Sequence, residues 1–310
     1  MGFWPDARFI KRYPVRIIVI LLAILLAVCI YWTGKENIFS LFSMSNTSHP
    51  AQNIVVFDLD ETLGNFVEVG MFWDALENYY GRKLSDETFF EILDIFPEFL
   101  RPNIVKILKY LMDKKRIGEC SKVMIYTNNQ GPRSWAQMIS AYFDTRTGQK
   151  TFDQIIAAFK VHGKVVEICR TSHDKSVEDL IKCTRIPANT EICFLDDQYH
   201  PLMEHDQVYY INVKPYTFSM NFKDMAERYL ERSHVHDVAP DQHSEFISSV
   251  VRYMRRYRYT VTQKPAAEVK VDEVISKKII VHLEEFFNKH KTRKLTRKRR
   301  RRSRKGTRRR

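Results

Sequence analysis

From residue 53 onward, short apolar runs alternate with amphipathic stretches, and nothing else in the chain restricts its fold as much. The spacing predicts strands over Asn53–Phe57, Lys122–Tyr126, Asp153–Phe159, Glu191–Leu195 and Gln207–Ile211. Between them it predicts helices over Arg101–Lys115, Ser134–Phe143, Ser176–Cys183 and Phe222–Arg232. Arg101–Lys115 puts Ile104, Ile107, Leu108 and Leu111 on one face. Ser176 is a helix-capping residue with Asp179 three positions on. Strands that alternate with helices need crossover connections, so the expectation is an α/β domain: a parallel sheet flanked by helices.

The flanks read differently. Ile17–Trp32 is a run of sixteen apolar residues bordered by Tyr13, Tyr31 and Trp32. As a helix it would span roughly 24 Å, close to the hydrocarbon core of a bilayer. A membrane anchor over residues 1–34 is therefore expected, with a cleaved signal peptide and a buried core helix as the alternatives. Arg8, Lys11, Arg12 and Arg16 precede the run, which favours a single pass with the N-terminus in the cytosol. Residues 35–51 are polar and read as a linker. Asn46-Thr47-Ser48 in it is a glycosylation triplet, usable if the domain is translocated.

Beyond the α/β pattern, 236–290 reads as a helical extension, with amphipathic stretches at Ser244–Tyr259 and Ala267–Asn288. Residues 291–310 hold fourteen Lys or Arg and no acidic residue, so the net charge of +13 falls to −1 when they are set aside. The body is near neutral and the basicity is a tail. A nucleic-acid-binding fold coated in positive charge is not indicated. Such dense like charge predicts a disordered segment able to attract a polyanion: nucleic acid, anionic lipid or acidic protein. The five cysteines, at 29, 120, 169, 183 and 193, show no CxxC spacing. Buried or free thiols are expected, rather than a disulfide scaffold or a zinc ribbon.

The chemistry concentrates where Val55-Val56-Phe57 runs into Asp58-Leu59-Asp60-Glu61-Thr62. Ligands of open α/β sheets bind at the carboxyl ends of strands. Two carboxylates one residue apart repel each other there, and a hard cation relieves the repulsion; oxygen ligands with room for water and phosphate suit Mg²⁺. Thr127 and Asn128 follow one strand, Asp196 and Asp197 follow another, and Lys175 opens a helix. A carboxylate nucleophile, a second acid, a hydroxyl, an amine and an acidic pair form a set suited to phosphoryl transfer.

Those residues carry a resemblance. Asp58-Leu59-Asp60-Glu61-Thr62 is similar to the D-x-D-x-T signature of the haloacid-dehalogenase (HAD) superfamily. Asp-Leu-Asp-Glu-Thr-Leu, with Leu100-Arg101-Pro102 ahead of the second motif, resembles the branch of RNA-polymerase C-terminal-domain and NLI-interacting-factor-like phosphatases. The likeness covers about 53–232. It implies a HAD-type Rossmann-like domain over 52–235 and a phosphoric monoester hydrolase acting through an aspartyl-phosphate. Asp58 is then the nucleophile, and Asp60 the general acid and later the base. Thr127 contacts the phosphoryl group, and Lys175 neutralises charge, with Lys164 the competing lysine. Thr62 and Asn128 position the loops. Mg²⁺ would be held by Asp58, by Asp60 through its carbonyl, and by Asp196 or Asp197.

The resemblance further implies a phosphorylated substrate, in the first place phosphoserine or phosphothreonine in a protein. A small phosphorylated metabolite or a nucleic-acid end is the alternative, and a non-catalytic tethered scaffold is another. The chain departs from the branch in three places. Asp196-Asp197-Gln198-Tyr199 stands where Asp-Asn-Ser-Pro is usual, Gly64 replaces a larger residue, and Val67–Glu98 reads as a small helical insert rather than a β-type flap.

Overall fold

The computed structural model describes residues 52–307 apart from Val235, with side chains through Lys289. The expected anchor over 17–32, the linker and Asn46 lie outside the described residues. Among those described, no helix is long and apolar enough to cross a membrane.

In chain order, β1 (Asn53–Phe57) is followed by α1 (Val67–Tyr80), α2 (Asp86–Ile95), α3 (Ile104–Arg116) and β2 (Lys122–Tyr126). Then come α4 (Arg133–Thr147), β3 (Gln154–Ile156) and a small hairpin of β4 (Lys160–Val161) and β5 (Lys164–Val165). α5 (Val177–Thr184), β6 (Glu191–Asp196), β7 (Val208–Asn212), α6 (Phe222–Arg232), α7 (His243–Met254) and α8 (Ala266–Thr307) complete it. Five strands form one parallel sheet in the order β3-β2-β1-β6-β7. β1, the most apolar run, is the central strand and is buried along its whole length.

Alternation along the strands divides the core. Val55, Phe57, Val123, Ile125, Cys193 and Leu195 face one side of the sheet, where α1 to α4 and α6 to α8 contribute side chains. Ile54, Val56, Met124, Tyr126, Ile192 and Phe194 face the other, covered by α5. Period-two side-chain direction is what sends neighbours to opposite faces. The extension shares this core: Phe246, Val250 and Met254 of α7 and Leu283, Phe286 and Phe287 of α8 are buried in it. On α1, Glu68 is fully buried and its Oε1 accepts from the Met220 amide at 3.2 Å.

Three expectations need correction. The basic segment was expected to be disordered, but α8 continues through it to Thr307. Lys and Arg are good helix formers, cations suit a helix C-terminus, and the packed first part of α8 has already met the cost of nucleation. The cysteines were expected as thiols, but Cys169 and Cys183 form a disulfide, with Cα atoms 5.1 Å apart. The segment after β5 folds back over α5, which spacing alone does not reveal. Cys120 and Cys193 are free and buried, as expected. The run Asp153–Phe159 yields only three strand residues, because the chain leaves the sheet edge for the β4–β5 hairpin.

Candidate active site

The loop after β1 is a tight, strongly held turn. Asp58 continues the strand far enough to donate its amide to the Leu195 carbonyl at 2.8 Å. The chain then turns through Glu61, whose φ of 57° lies in the left-handed region. A left-handed residue other than glycine needs outside support. Arg101 supplies it. Its side chain is 1% exposed, and its guanidinium donates to the carbonyls of Thr62 at 2.6 Å, Glu61 at 2.5 Å and Lys214 at 3.0 Å. Gly64 lets the segment bearing Arg101 approach: a Cβ there would lie 2.6 Å from the Phe99 carbonyl and 2.9 Å from the Phe66 ring. Thus the glycine that departs from the branch pattern has a steric reason here.

Four segments converge at the carboxyl ends of β1, β2 and β6, around a pocket of ≈ 180 Å³. Asp58 Oδ1 accepts from Lys175 Nζ at 2.5 Å, and Asp196 Oδ2 accepts from the same ammonium at 2.6 Å. Lys175 is 2% exposed and lies against the rings of Tyr126 and Phe194. Thr62 Oγ1 donates to Asp197 Oδ1 at 3.1 Å and accepts from the Asp197 amide at 3.1 Å, which clasps the β1 loop to the β6 loop. Thr127, 3% exposed, accepts at Oγ1 from the Asn129 amide at 3.0 Å and lines the pocket. Asn128 also lines it, and its buried Oδ1 has no partner.

All eight residues expected from the sequence therefore lie at or beside one pocket. Asp58, Asp196 and Asp197 each present a carboxylate oxygen within 4.8 Å of the others, the spacing of a cation site. The Asp60 carboxylate is not in that group; its Oδ2 accepts instead from Asn129 Nδ2 at 2.7 Å. Lys164 is exposed in β5, whereas Lys175 is the lysine that reaches Asp58.

Charge in the pocket is unbalanced. Burial pushes the Asp58 carboxyl up to about 7, against the pull of Lys175. Burial raises Asp60 as well, and the Asn129 hydrogen bond opposes it only in part. Asp197 is raised by burial and then by the charge of Asp196. Asp196 also suffers from burial, but hydrogen bonds from His200 and Lys175 outweigh it and hold this carboxyl below the usual range. Burial works against the Lys175 charge too, and the two neighbouring carboxylates more than restore it. One ammonium thus faces three clustered carboxylates. A divalent cation is the natural complement.

Sequence reasoning missed four supporting residues. Asn129 orients Asp60, and standing next to Asn128 it was within reach of the strand-end argument. His200 Nε2 lies 3.3 Å from Asp196 Oδ2. Arg170, 2% exposed, donates to the carbonyls of Thr127 at 3.1 Å, Ala157 at 2.9 Å and His173 at 2.9 Å. Arg101 was noticed only as part of a pattern. Arg101 and Arg170 act across about 40 residues of sequence, whereas His200 is only four residues from Asp196 and was within reach of the same strand-end argument. No family model matches the chain, and no curated protein matches it.

Proposed function

We propose that this chain is a Mg²⁺-dependent phosphomonoester hydrolase of the HAD type, which passes through an aspartyl-phosphate on Asp58. The observation that supports it best is the convergence of Asp58, Asp60, Thr127 and the Asp196–Asp197 pair, from three strand ends, with Lys175, from the stretch before α5, on one pocket. A binding scaffold gains nothing from three buried carboxylates around a lysine, since uncompensated buried charge is destabilising.

Asp58, Asp196 and Asp197 would hold the ion. When bound, Mg²⁺ supplies positive charge that keeps Asp58 ionised and offsets phosphate charge. The Asp58 oxygen attacks phosphorus as the bond from phosphorus to the ester oxygen breaks. Asp60, which burial keeps protonated to higher pH than a free carboxylate, gives its proton to the departing oxygen. Lys175 and Thr127 hold the transferred group. The Asp60 carboxylate then takes a proton from water, whose oxygen attacks phosphorus. Inorganic phosphate leaves and Asp58 is restored.

For the substrate, phosphoserine or phosphothreonine in protein is the reading taken from the branch. The helical insert α1–α2 beside the site favours a smaller phosphomonoester as a second reading. A membrane anchor at 17–32 and a polyanion-binding segment at 291–310 belong to the same proposal.

A chromogenic aryl phosphate tests it on the full chain in detergent. Turnover should require Mg²⁺ and should fall by more than about a thousandfold in Asp58→Asn, since an acting nucleophile has no substitute. Beryllium fluoride with Mg²⁺ should block the wild type. A well-folded chain that binds Mg²⁺ and turns over no phosphomonoester would sink the proposal in favour of a scaffold.

A further inference from the structure

We propose that the phosphate pocket continues into a second subsite, which selects leaving groups that are aromatic and uncharged or cationic; this rests on the phosphatase reading above. A groove of ≈ 290 Å³ adjoins the pocket, and Asp60 and Asn129 line both. The junction between them is the residue that protonates the leaving oxygen, so whatever is bonded to that oxygen enters the groove.

The groove is built to take a flat apolar body. Phe66, Trp73, Trp135 and Met138 line it. Both indoles pack edge-on against Phe89, with centroid separations of 5.6 Å for Trp73 and 5.1 Å for Trp135. A shared buried contact holds them in place before any ligand arrives, which lowers the ordering cost of binding. Gly70 lines the groove too, next to Trp135. It is inside α1, where glycine is less favourable than alanine. A Cβ there would lie 3.4 Å from the Trp135 ring, so a side chain at this position would enter the space over the indole.

The rim sets the charge. Asp74 and Glu77 stand over the groove with Lys83, and Lys83 Nζ pairs with Glu77 at 2.6 Å. One carboxylate, that of Asp74, is in excess. A leaving group carrying further phosphates or carboxylates meets repulsion, and one carrying an ammonium meets attraction.

Steady-state turnover of naphthyl phosphate and phenyl phosphate by the full chain tests the apolar part. Their ester oxygens are chemically similar and their ring areas differ. The naphthyl ester should show a KM roughly five- to tenfold lower, from the additional apolar area covered. In Gly70→Leu this advantage should shrink to about twofold or less, with the loss in KM rather than kcat. Should that variant not fold, wild-type protein alone tests the charge preference. Para-aminomethylphenyl phosphate should have a lower KM than para-carboxyphenyl phosphate, and the gap should narrow as salt is added. Equal KM values for the two ring sizes, or preference for the carboxylate, would overturn the inference. If no ester is hydrolysed, quenching of indole fluorescence by naphthyl phosphate, stronger than by phenyl phosphate and lost in Trp135→Phe, would still support the groove while removing the catalytic reading. Absence of that quenching as well would remove both.

Discussion

The site is assembled from two kinds of material. Asp58, Asp196 and Asp197 extend directly from β1 and β6, and sheet hydrogen bonds on both sides of β1 fix where they stand. Lys175 comes from the irregular stretch between β5 and α5, whose position depends on side chains. Arg170 reaches Thr127, Asp179 accepts from the amide and hydroxyl of Thr171, Ser176 caps α5, and Cys169 is bonded to Cys183. The acidic half is placed by the fold, and the basic half by ties to the fold. Placement by a central strand survives most local changes. Placement by ties can be lost one tie at a time.

Lys175→Met probes this contrast most severely. It leaves three carboxylates without their ammonium, which should destabilise the chain by about 3–5 kcal/mol. Turnover should fall by about a hundredfold or more. Mg²⁺ should restore part of the stability and little of the activity, as read by denaturant unfolding with and without the ion. Equal stability of the variant and wild type without Mg²⁺ would break the comparison.

Loss of the disulfide comes next. Cys169 and Cys183 are 14 residues apart, and closing a loop of that size is worth about 3 kcal/mol. The pair Cys169→Ser, Cys183→Ser should unfold more easily and lower kcat, while half-saturation by Mg²⁺ stays close to wild type because the acidic half does not depend on the bond. A large shift in Mg²⁺ affinity would show that the halves are not separable.

Glu68 provides a control outside the pocket. Burial lifts its carboxyl to about 7 from 4.5. Its contribution to stability is therefore complete below the unfolded carboxyl range and is lost as pH rises through about 7, for a total of about 3 kcal/mol. Glu68→Gln should flatten the decline in melting temperature from mildly acidic to mildly alkaline pH and leave turnover unaffected. The smallest effect is expected for Ser176→Ala. Its hydroxyl accepts from the Asp179 amide at 3.1 Å, and loss of the cap should cost about 1 kcal/mol. The change in kcat should be less than that of the disulfide variant and in the same direction.

The same division explains what could be read from the sequence. Asn53–Phe57, Lys122–Tyr126 and Glu191–Leu195 are apolar runs that stop at polar residues, so both strand and site were visible in one short window. Phe222–Arg232 emerged with its limits unchanged because its periodicity is strong and Asn221 caps it. The stretch 160–174 gave no such signal. Its order derives from Arg170 and from Cys169 meeting Cys183, contacts that exist only after the sheet has formed. The basic segment misled for a different reason: repulsion between like charges was weighed, and the helical preference of lysine and arginine, seeded by a packed start, was not.

Gly64 works as the keystone of a small arch. Its missing methyl group admits the Phe99–Leu100 backbone, and that approach brings the guanidinium of residue 101 beneath the turn at Glu61. Any larger side chain at 64 would lift one pillar and let the span sag, carrying Asp60 away from its amide partner. A position with no functional group of its own thereby governs where the Asp60 carboxyl stands, and tolerance to substitution there should be as low as at the pocket acids themselves.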